Sequence, residues 1–291
     1  MAQSKSFFGL RKGSTKSLTF QVLNGKQITK DRVYNVKNPQ TIAQMQQRAL
    51  MATVITAYST MKEICDHSFE DVEVGAKSMA EFMKINLKDL SKLAPVCNIT
   101  EYKSSSYVQN SYVISNGTLP VVDVLMNGKN ADIDTGFTAS ESTEVKWSDI
   151  AATMGIKKGG MLTIVNVEGT CRWLRIKFIE DMWDTVIKPN QSNITELKAL
   201  GAIEGNSLEF ESMLTFVKNT DDTCKIRVDA SDDSYTGAII SEKVNNKWKR
   251  SKAMLIGDES KYNYETAFDT YPINTTLLLN GGKMSTNVIT D

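Results

Sequence analysis

Side chains that could carry nucleophilic or metal chemistry are few in this sequence and lie far apart. The only histidine is His67, and the cysteines are Cys65, Cys97, Cys171 and Cys224. A Ser-His-Asp or Cys-His site needs an imidazole that accepts the proton of the nucleophile, and a zinc site needs closely spaced ligand pairs. No Cys-x-x-Cys pair occurs, and His67 follows a predicted helix end, where it suits the helix dipole. We therefore predict inert core cysteines, with a disulfide as the alternative, and no catalytic residue, metal or cofactor.

Two further motifs resemble ligand loops but lack the required spacing. The segment Gly155-Ile-Lys-Lys-Gly-Gly160 does not have the GxxxxGK[ST] pattern of a phosphate loop, and it leads into a predicted strand rather than a helix. The acidic clusters at residues 221–222 and 229–233 lack the glycine and the distal glutamate of a calcium loop. We interpret all of them as turns and predict that the protein is not an enzyme.

Charge is distributed unevenly along a chain whose net charge is zero. Residues 1–50 contain nine basic residues and a single acid, Asp31, so this part carries +8 and the remainder −8. Such asymmetry indicates a negatively charged partner. Because the basic residues belong to a patterned hairpin rather than a continuous run, docking on an acidic protein surface is favoured over nucleic acid. The predicted partner-binding residues are Arg11, Lys12, Lys16, Lys26, Lys30, Arg32, Lys37 and Arg48.

The N-terminal third shows a hairpin followed by two helices. Residues 18–23 alternate, Asn24-Gly25 suits a tight turn, and Lys26 to Val36 returns. Asn38 and Pro39 then predict a helix start, and apolar residues recur at helical spacing as far as about Met61. A second apolar stripe predicts a helix from Ser78 to Leu93.

From about residue 101 the pattern changes to short strands separated by Asn-Gly, Glu-Gly and Asn-Asn turns. Such spacing is typical of a β-sandwich or barrel. We therefore predict an α+β protein: a basic hairpin and two helices in residues 1–100, and a mostly antiparallel sandwich or barrel-like region in residues 101–291, with packing as one domain as the alternative. The strands are expected at 107–115, 119–126, 161–167, 172–179, 208–217, 224–228, 235–240, 247–255 and 275–279, and a short helix at 148–154.

Two strand segments combine aromatic and basic residues. They are Arg172-Trp173-Leu-Arg175-Ile-Lys177 and Lys247-Trp248-Lys249-Arg250. Trp173 and Trp248 could stack on bases while the basic residues contact phosphates. Binding of single-stranded DNA or RNA is therefore the alternative function. A carbohydrate-binding or adhesin-like sandwich is a third reading, because exposed tryptophans also stack on sugars.

Several short motifs occur in a fixed order along the chain: Gly13-Ser-Thr-Lys16, Asn24-Gly-Lys26, Val36-Lys-Asn-Pro-Gln-Thr41, Gln44 and Gln47-Arg48, and further Ser115-Asn-Gly-Thr-Leu119, Gly237-Ala-Ile-Ile-Ser241 and Lys247-Trp-Lys-Arg-Ser251. With these motifs the sequence resembles an uncharacterised domain family of Bacteroidota and their phages. Only the segment from Asn24 to Arg48 is fairly specific. The resemblance implies a phage context and a role in protein assembly, and it implies no catalytic residue.

The sequence therefore predicts a non-enzymatic virion component, capsid-associated, connector or tail, that docks through its basic N-terminal arm. Its expected partners are other copies of itself and other virion proteins. No apolar run has the length of a signal peptide or a membrane span, so we expect no membrane partner and synthesis in the cytoplasm of a bacterial host.

Overall fold

The computed structural model of the protein describes residues 2–4, 13–23, 26–32, 42–93, 111–139, 144–190, 193–219, 222–229, 231 and 234–257. These residues form helices and mostly antiparallel sheets, which confirms the predicted α+β class. They belong to two compact units, residues Met1–Thr41 and Ile42–Asp291.

The first unit is a small antiparallel sheet. Its strands are β1 (Ala2–Ser4), β2 (Gly13–Ser14), β3 (Leu18–Leu23) and β4 (Lys26–Asp31), in the order β1-β4-β3-β2. Strands β3 and β4 are those of the predicted hairpin, and Phe20 lies opposite Thr29 in their ladder. The predicted turn at Asn24 and Gly25 lies outside the described residues.

The second unit begins with three helices. They are α1 (Ile42–Thr60), α2 (Lys62–Cys65) and α3 (Ala76–Leu93). The first and third correspond to the two predicted helices, whereas the predicted start at Asn38 and Pro39 lies outside the described part of the chain. None of the described helices is long and apolar enough to cross a membrane.

The remainder of the second unit is rich in strands. Its elements are β5 (Val113–Ser115), β6 (Val124–Asn127), β7 (Asn130–Thr138), α4 (Trp147–Thr153), β8 (Met161–Glu168), β9 (Thr170–Lys177), α5 (Glu180–Trp183), α6 (Ile194–Ala199), β10 (Ile203–Gly205), α7 (Leu208–Ser212), β11 (Leu214–Lys218), β12 (Thr223–Asp229), β13 (Tyr235–Val244), β14 (Lys247–Arg250) and β15 (Ala253–Met254). A central sheet has the order β10-β9-β8-β13-β14, a second sheet has the order β11-β12-β7-β6, and β15 pairs with β5. The turn from β13 to β14 is made by Asn245 and Asn246, both with the positive φ that a tight hairpin requires.

The central sheet is the middle of three layers. On one side it packs against the second sheet, with Ile164 and Leu174 in the shared core. On the other side it packs against the helices, and that core includes Val165, Trp173 and Phe82. The two sheets thus pack face to face without closing into a barrel. Of the two predicted arrangements, sandwich and barrel, this is the sandwich.

Because α1 and α3 share a core with the central sheet, they belong to the same unit as the strands. Val54 of α1 and Phe82 of α3 are fully buried in that core. The division between the two compact units falls between Thr41 and Ile42. The predicted division at residue 100, with packing as one domain as its alternative, stays a prediction.

Some strand predictions differ from the structure, and others fall outside the described residues. Residues 208–217 were expected to form one strand, but they divide into α7 and β11 because the Ser207 hydroxyl accepts a hydrogen bond from Phe210 N and caps a helical turn. Strand β7 was not predicted at all, since Asn130, Asp132 and Asp134 are poor strand formers. The strand expected at 275–279 lies outside the described residues.

Candidate functional site

The first candidate surface is the basic sheet of the N-terminal unit. Lys16, Lys26, Lys30 and Arg32 are exposed. In the β3–β4 ladder Lys26 lies opposite Leu23 and Lys30 opposite Thr19. Because side chains alternate along a strand, both lysines lie on one face of the sheet. Ile28 lies between the two lysines on the same face, and Phe20 and Val22 belong to the other face.

Arg32 has a structural role in this sheet as well as a charge. Its main-chain N–H donates to Ser17 O at 2.8 Å, and its Nη1 donates to Thr15 O at 3.2 Å. These bonds hold the loop that carries Lys16 against the end of β4. Of the other predicted partner-binding residues, Arg11, Lys12 and Lys37 lie outside the described residues, and Arg48 lies in α1 with a side chain that is likewise outside the description.

A second basic surface lies on the helix-facing side of the central sheet. Lys177 of β9 is opposite Met161 of β8, Met161 is opposite Ser241 of β13, and Ser241 is opposite Arg250 of β14. Directly opposed residues of antiparallel strands share a face. Arg175, two residues before Lys177, and Trp248, two residues before Arg250, therefore lie on that face too. We call Arg175, Lys177, Lys243, Trp248 and Arg250 the basic face.

Each of the two predicted tryptophans lies beside an arginine of the basic face. The Arg250 guanidinium carbon is 5.0 Å from the ring centroid of Trp248, and that of Arg175 is 5.1 Å from the ring of Trp173. Both distances are within the range of cation–π contact. Trp248 is 41% exposed and Trp173 only 6%.

The burial of Trp173 corrects the expectation that its ring stacks on bases. Trp173 is opposite Val165 in the ladder, and both residues belong to the core beneath the helices. Further along the same strand, Arg175 and Lys177 are only partly buried. Trp248 is therefore the tryptophan of the two whose ring a ligand can reach.

Carboxylates neutralise only part of the basic face. Glu204 of β10 lies 3.5 Å from Arg175 and 2.8 Å from Lys177, and hydrogen bonding to Lys177 lowers its pKa. Glu70 lies near Arg250 but forms its ion pair with Lys249, and it accepts hydrogen bonds from the main-chain N–H groups of Thr118 and Arg250. One carboxylate therefore serves Arg175 and Lys177 together.

The Arg250 side chain is held in place by carbonyl oxygens. Its Nε donates to His67 O at 2.9 Å, and its Nη1 donates to Lys249 O at 3.1 Å. Burial lowers the pKa of Arg250 to about 10, and repulsion by the Arg175 guanidinium acts in the same direction. Arg250 is thus still charged at neutral pH; the nearby Arg175 guanidinium destabilises that charge, and the Glu70 carboxylate stabilises it.

Comparisons with known protein families, with curated proteins and with solved structures found no match for this chain. The resemblance to a domain family of Bacteroidota and their phages stays a prediction.

The described cysteines are in core environments. Cys65 and Cys224 are buried and Cys171 is partly buried, and these three thiols are free. Burial raises the pKa of all three, that of Cys171 to about 12, so they are protonated at neutral pH and poor nucleophiles. Cys97 lies outside the described residues. Within the described ranges, no group of His, Cys, Asp and Glu side chains has a metal-binding arrangement.

Sequence reasoning singled out both segments of the basic face but not their juxtaposition. The segments around Trp173 and Trp248 are about seventy residues apart, and β8 and β13 lie between their strands in the sheet. Strand alternation separates Arg175 and Lys177 from the core residues Leu174 and Ile176. The order of the strands carries no comparable signal in one sequence.

Proposed function

We propose that this chain is a non-enzymatic structural protein that assembles by docking its basic N-terminal sheet on an acidic protein surface. The observation that carries the proposal is the separation of charge between the two compact units. Residues 1–41 contain eight basic residues and one acid, a net charge of +7, so residues 42–291 carry −7.

Opposite charges on two units of one chain favour contact between copies. The basic sheet of one copy is attracted by the acidic body of the next, and because the two surfaces differ, the contact is head to tail. A ring or a filament results, depending on whether the rotation closes. Since the lysines of the sheet are exposed, the attraction weakens as salt shortens the Debye length to roughly 10 Å at about 0.1 M.

Repeated head-to-tail contacts of this kind suit a bacteriophage virion component, and we place the chain in that class as a capsid-associated, connector or tail protein. Its partners are then other copies of itself and other virion proteins. Lys26 and Lys30, which are exposed on one face of the small sheet, support this assignment, because they offer positive charge to an acidic neighbour.

The test is a triple charge reversal of Lys16, Lys26 and Lys30 to glutamate. The matched control reverses Lys77, Lys158 and Lys188, which are 66%, 48% and 57% exposed on the second unit. Both variants change the net charge equally. Analytical ultracentrifugation at low salt should show assembly lost in the first variant and retained in the second, with folded monomers in both. Equal assembly of the two variants would contradict the proposal.

Binding of single-stranded nucleic acid is the second candidate function. It is favoured by a specific observation, the presence of Arg175, Arg250 and the exposed Trp248 on one face of the central sheet.

A further inference from the structure

The basic face has more positive charge than its surroundings balance. Four of its five residues are cationic, and Glu204 is the carboxylate that pairs with two of them. Glu70 is engaged by Lys249 and by main-chain donors of Thr118 and Arg250. The Arg250 guanidinium contacts carbonyl oxygens and a ring, which leaves its charge uncompensated by an ion pair within the described residues.

The cations of the basic face are spread across four strands of the sheet. Lys177 and Arg250 are at the two ends of a row that crosses four strands, so their Cα atoms are roughly 14 Å apart at the usual strand spacing. Between them the row contains Met161 and Ser241, and Thr163 of the neighbouring row accepts a hydrogen bond from Arg175 Nε at 3.3 Å. An oxyanion bound at the surface of the basic face would lie among guanidinium and ammonium donors and would relieve the repulsion between the arginines.

The exposed ring of Trp248 adds a second requirement for the ligand. One side of the indole is in contact with the Arg250 guanidinium, while 41% of the residue is open to solvent. An aromatic ring beside an arginine is a stacking platform for a nucleobase, and the arginine is then placed to contact the adjoining phosphate. An acidic peptide would satisfy the cations but would leave the ring without a stacking partner.

We propose that the basic face binds single-stranded nucleic acid, with phosphate groups at Arg175, Lys177 and Arg250 and a base stacked on Trp248. The ligand is single-stranded because stacking on Trp248 needs an unpaired base whose face is free. The binding depends little on sequence, since stacking and phosphate contact are common to all nucleotides.

The experiment is a titration of the full chain with a fluorescently labelled oligothymidylate, followed by anisotropy at several salt concentrations. Trp248→Ala should weaken binding about tenfold by loss of stacking, whereas Trp248→Phe should retain most of it. Arg175→Gln with Arg250→Gln should weaken binding and flatten the salt dependence by about 1.4 in log–log slope, at roughly 0.7 for each lost phosphate contact. Lys188→Gln, which removes a lysine that is 57% exposed outside the basic face, is the control and should leave both quantities unchanged.

Loss of binding can be distinguished from loss of folding, because Trp248 is a surface residue whose replacement should leave the fold intact. Thermal unfolding of each variant checks that the fold is intact. The proposal is overturned if the wild-type chain does not bind the oligonucleotide. It is overturned as well if the Trp248 and arginine variants bind as well as wild type, whereas charge reversal of Lys16, Lys26 and Lys30 abolishes binding. It is also overturned if polyglutamate displaces the oligonucleotide from wild type and binds Trp248→Ala equally well, because the partner is then an acidic protein.

Discussion

Arg227 and Asp132 form a bidentate ion pair across β12 and β7. Arg227 Nε and Nη2 donate to the two carboxylate oxygens of Asp132 at 2.7 and 2.9 Å, and the two residues are directly opposed in the ladder. Asp132 is 2% exposed. Because β7 has carboxylates at positions where strands seldom carry them, this pair is what allows the segment to lie inside a sheet.

Asp132→Ala should therefore destabilise the protein by about 3 kcal/mol, since the change leaves a largely buried guanidinium without its partner. Chemical denaturation measures the loss. Asp123→Ala, at an exposed position just before β6, is the control and should cost much less. A similar loss in the two variants would contradict the role given to the ion pair.

The same pair makes stability depend on pH. Burial by itself would raise the pKa of Asp132, but hydrogen bonds from Arg227 and Asn127 outweigh it and lower the pKa below the ordinary value of 3.8. The unfolded state then binds the proton more readily. The stabilisation is present above pH 3.8 and is lost as the pH falls from there through the lower folded-state pKa. Urea unfolding of Asp132→Asn should show a weaker loss of stability on acidification than wild type, and identical pH profiles would refute the assignment.

Glu70 joins the loop after α2 to the edge strand β14. Its buried carboxylate accepts hydrogen bonds from Lys249 Nζ, from Thr118 N at 3.0 Å and from Arg250 N at 3.4 Å. Glu70→Ala should cost about 2 kcal/mol, because these bonds involve a charged acceptor. Amide hydrogen exchange at Thr118 and Arg250 should accelerate. Glu73→Ala removes an exposed carboxylate nearby and should leave the exchange rates of both amides unchanged. Faster exchange in that control as well would argue against a specific role of the Glu70 hydrogen bonds.

Gly117 is required because two parts of the chain approach it closely. A Cβ atom at this position would lie 2.2 Å from Arg250 O and 2.8 Å from Glu70 Oε2. Gly117→Ala should force the loop away from β14 and destabilise the protein by about 2 to 3 kcal/mol. Asn116→Ala, at the exposed neighbouring residue, should be almost neutral in the same thermal unfolding experiment. Wild-type stability of Gly117→Ala would show that the approach is looser than described.

The core thiols should react only after unfolding. Burial raises the pKa of Cys65 and Cys171, so alkylation at mildly alkaline pH, followed by peptide mass spectrometry, should modify neither residue in the native protein within minutes. Both should be modified quickly in denaturant. Rapid native labelling of Cys65, which is fully buried, would require opening of the layer between α2 and the central sheet.

Local patterns were sufficient for elements whose signals lie close together in the chain. Alternation in residues 18–23 and 172–179 corresponds to β3 and β9, and helical spacing as far as about Met61 and Leu93 corresponds to α1 and α3. The Ser207 cap and the carboxylates of β7 misled the strand predictions, because each depends on a hydrogen-bond partner, Phe210 N in one case and Arg227 in the other.

The sequence by itself determined the α+β class, three of the seven described helices, most of the described strands, and the concentration of positive charge at the N-terminus. Only the tertiary structure decided that Trp173 is buried while Trp248 is open, that the helices share a core with the central sheet, and that Arg175 and Arg250 lie on the same face. The physical reason is that periodicity and charge are properties of neighbouring residues. The order in which strands pair, by contrast, depends on contacts between segments that are far apart in the chain.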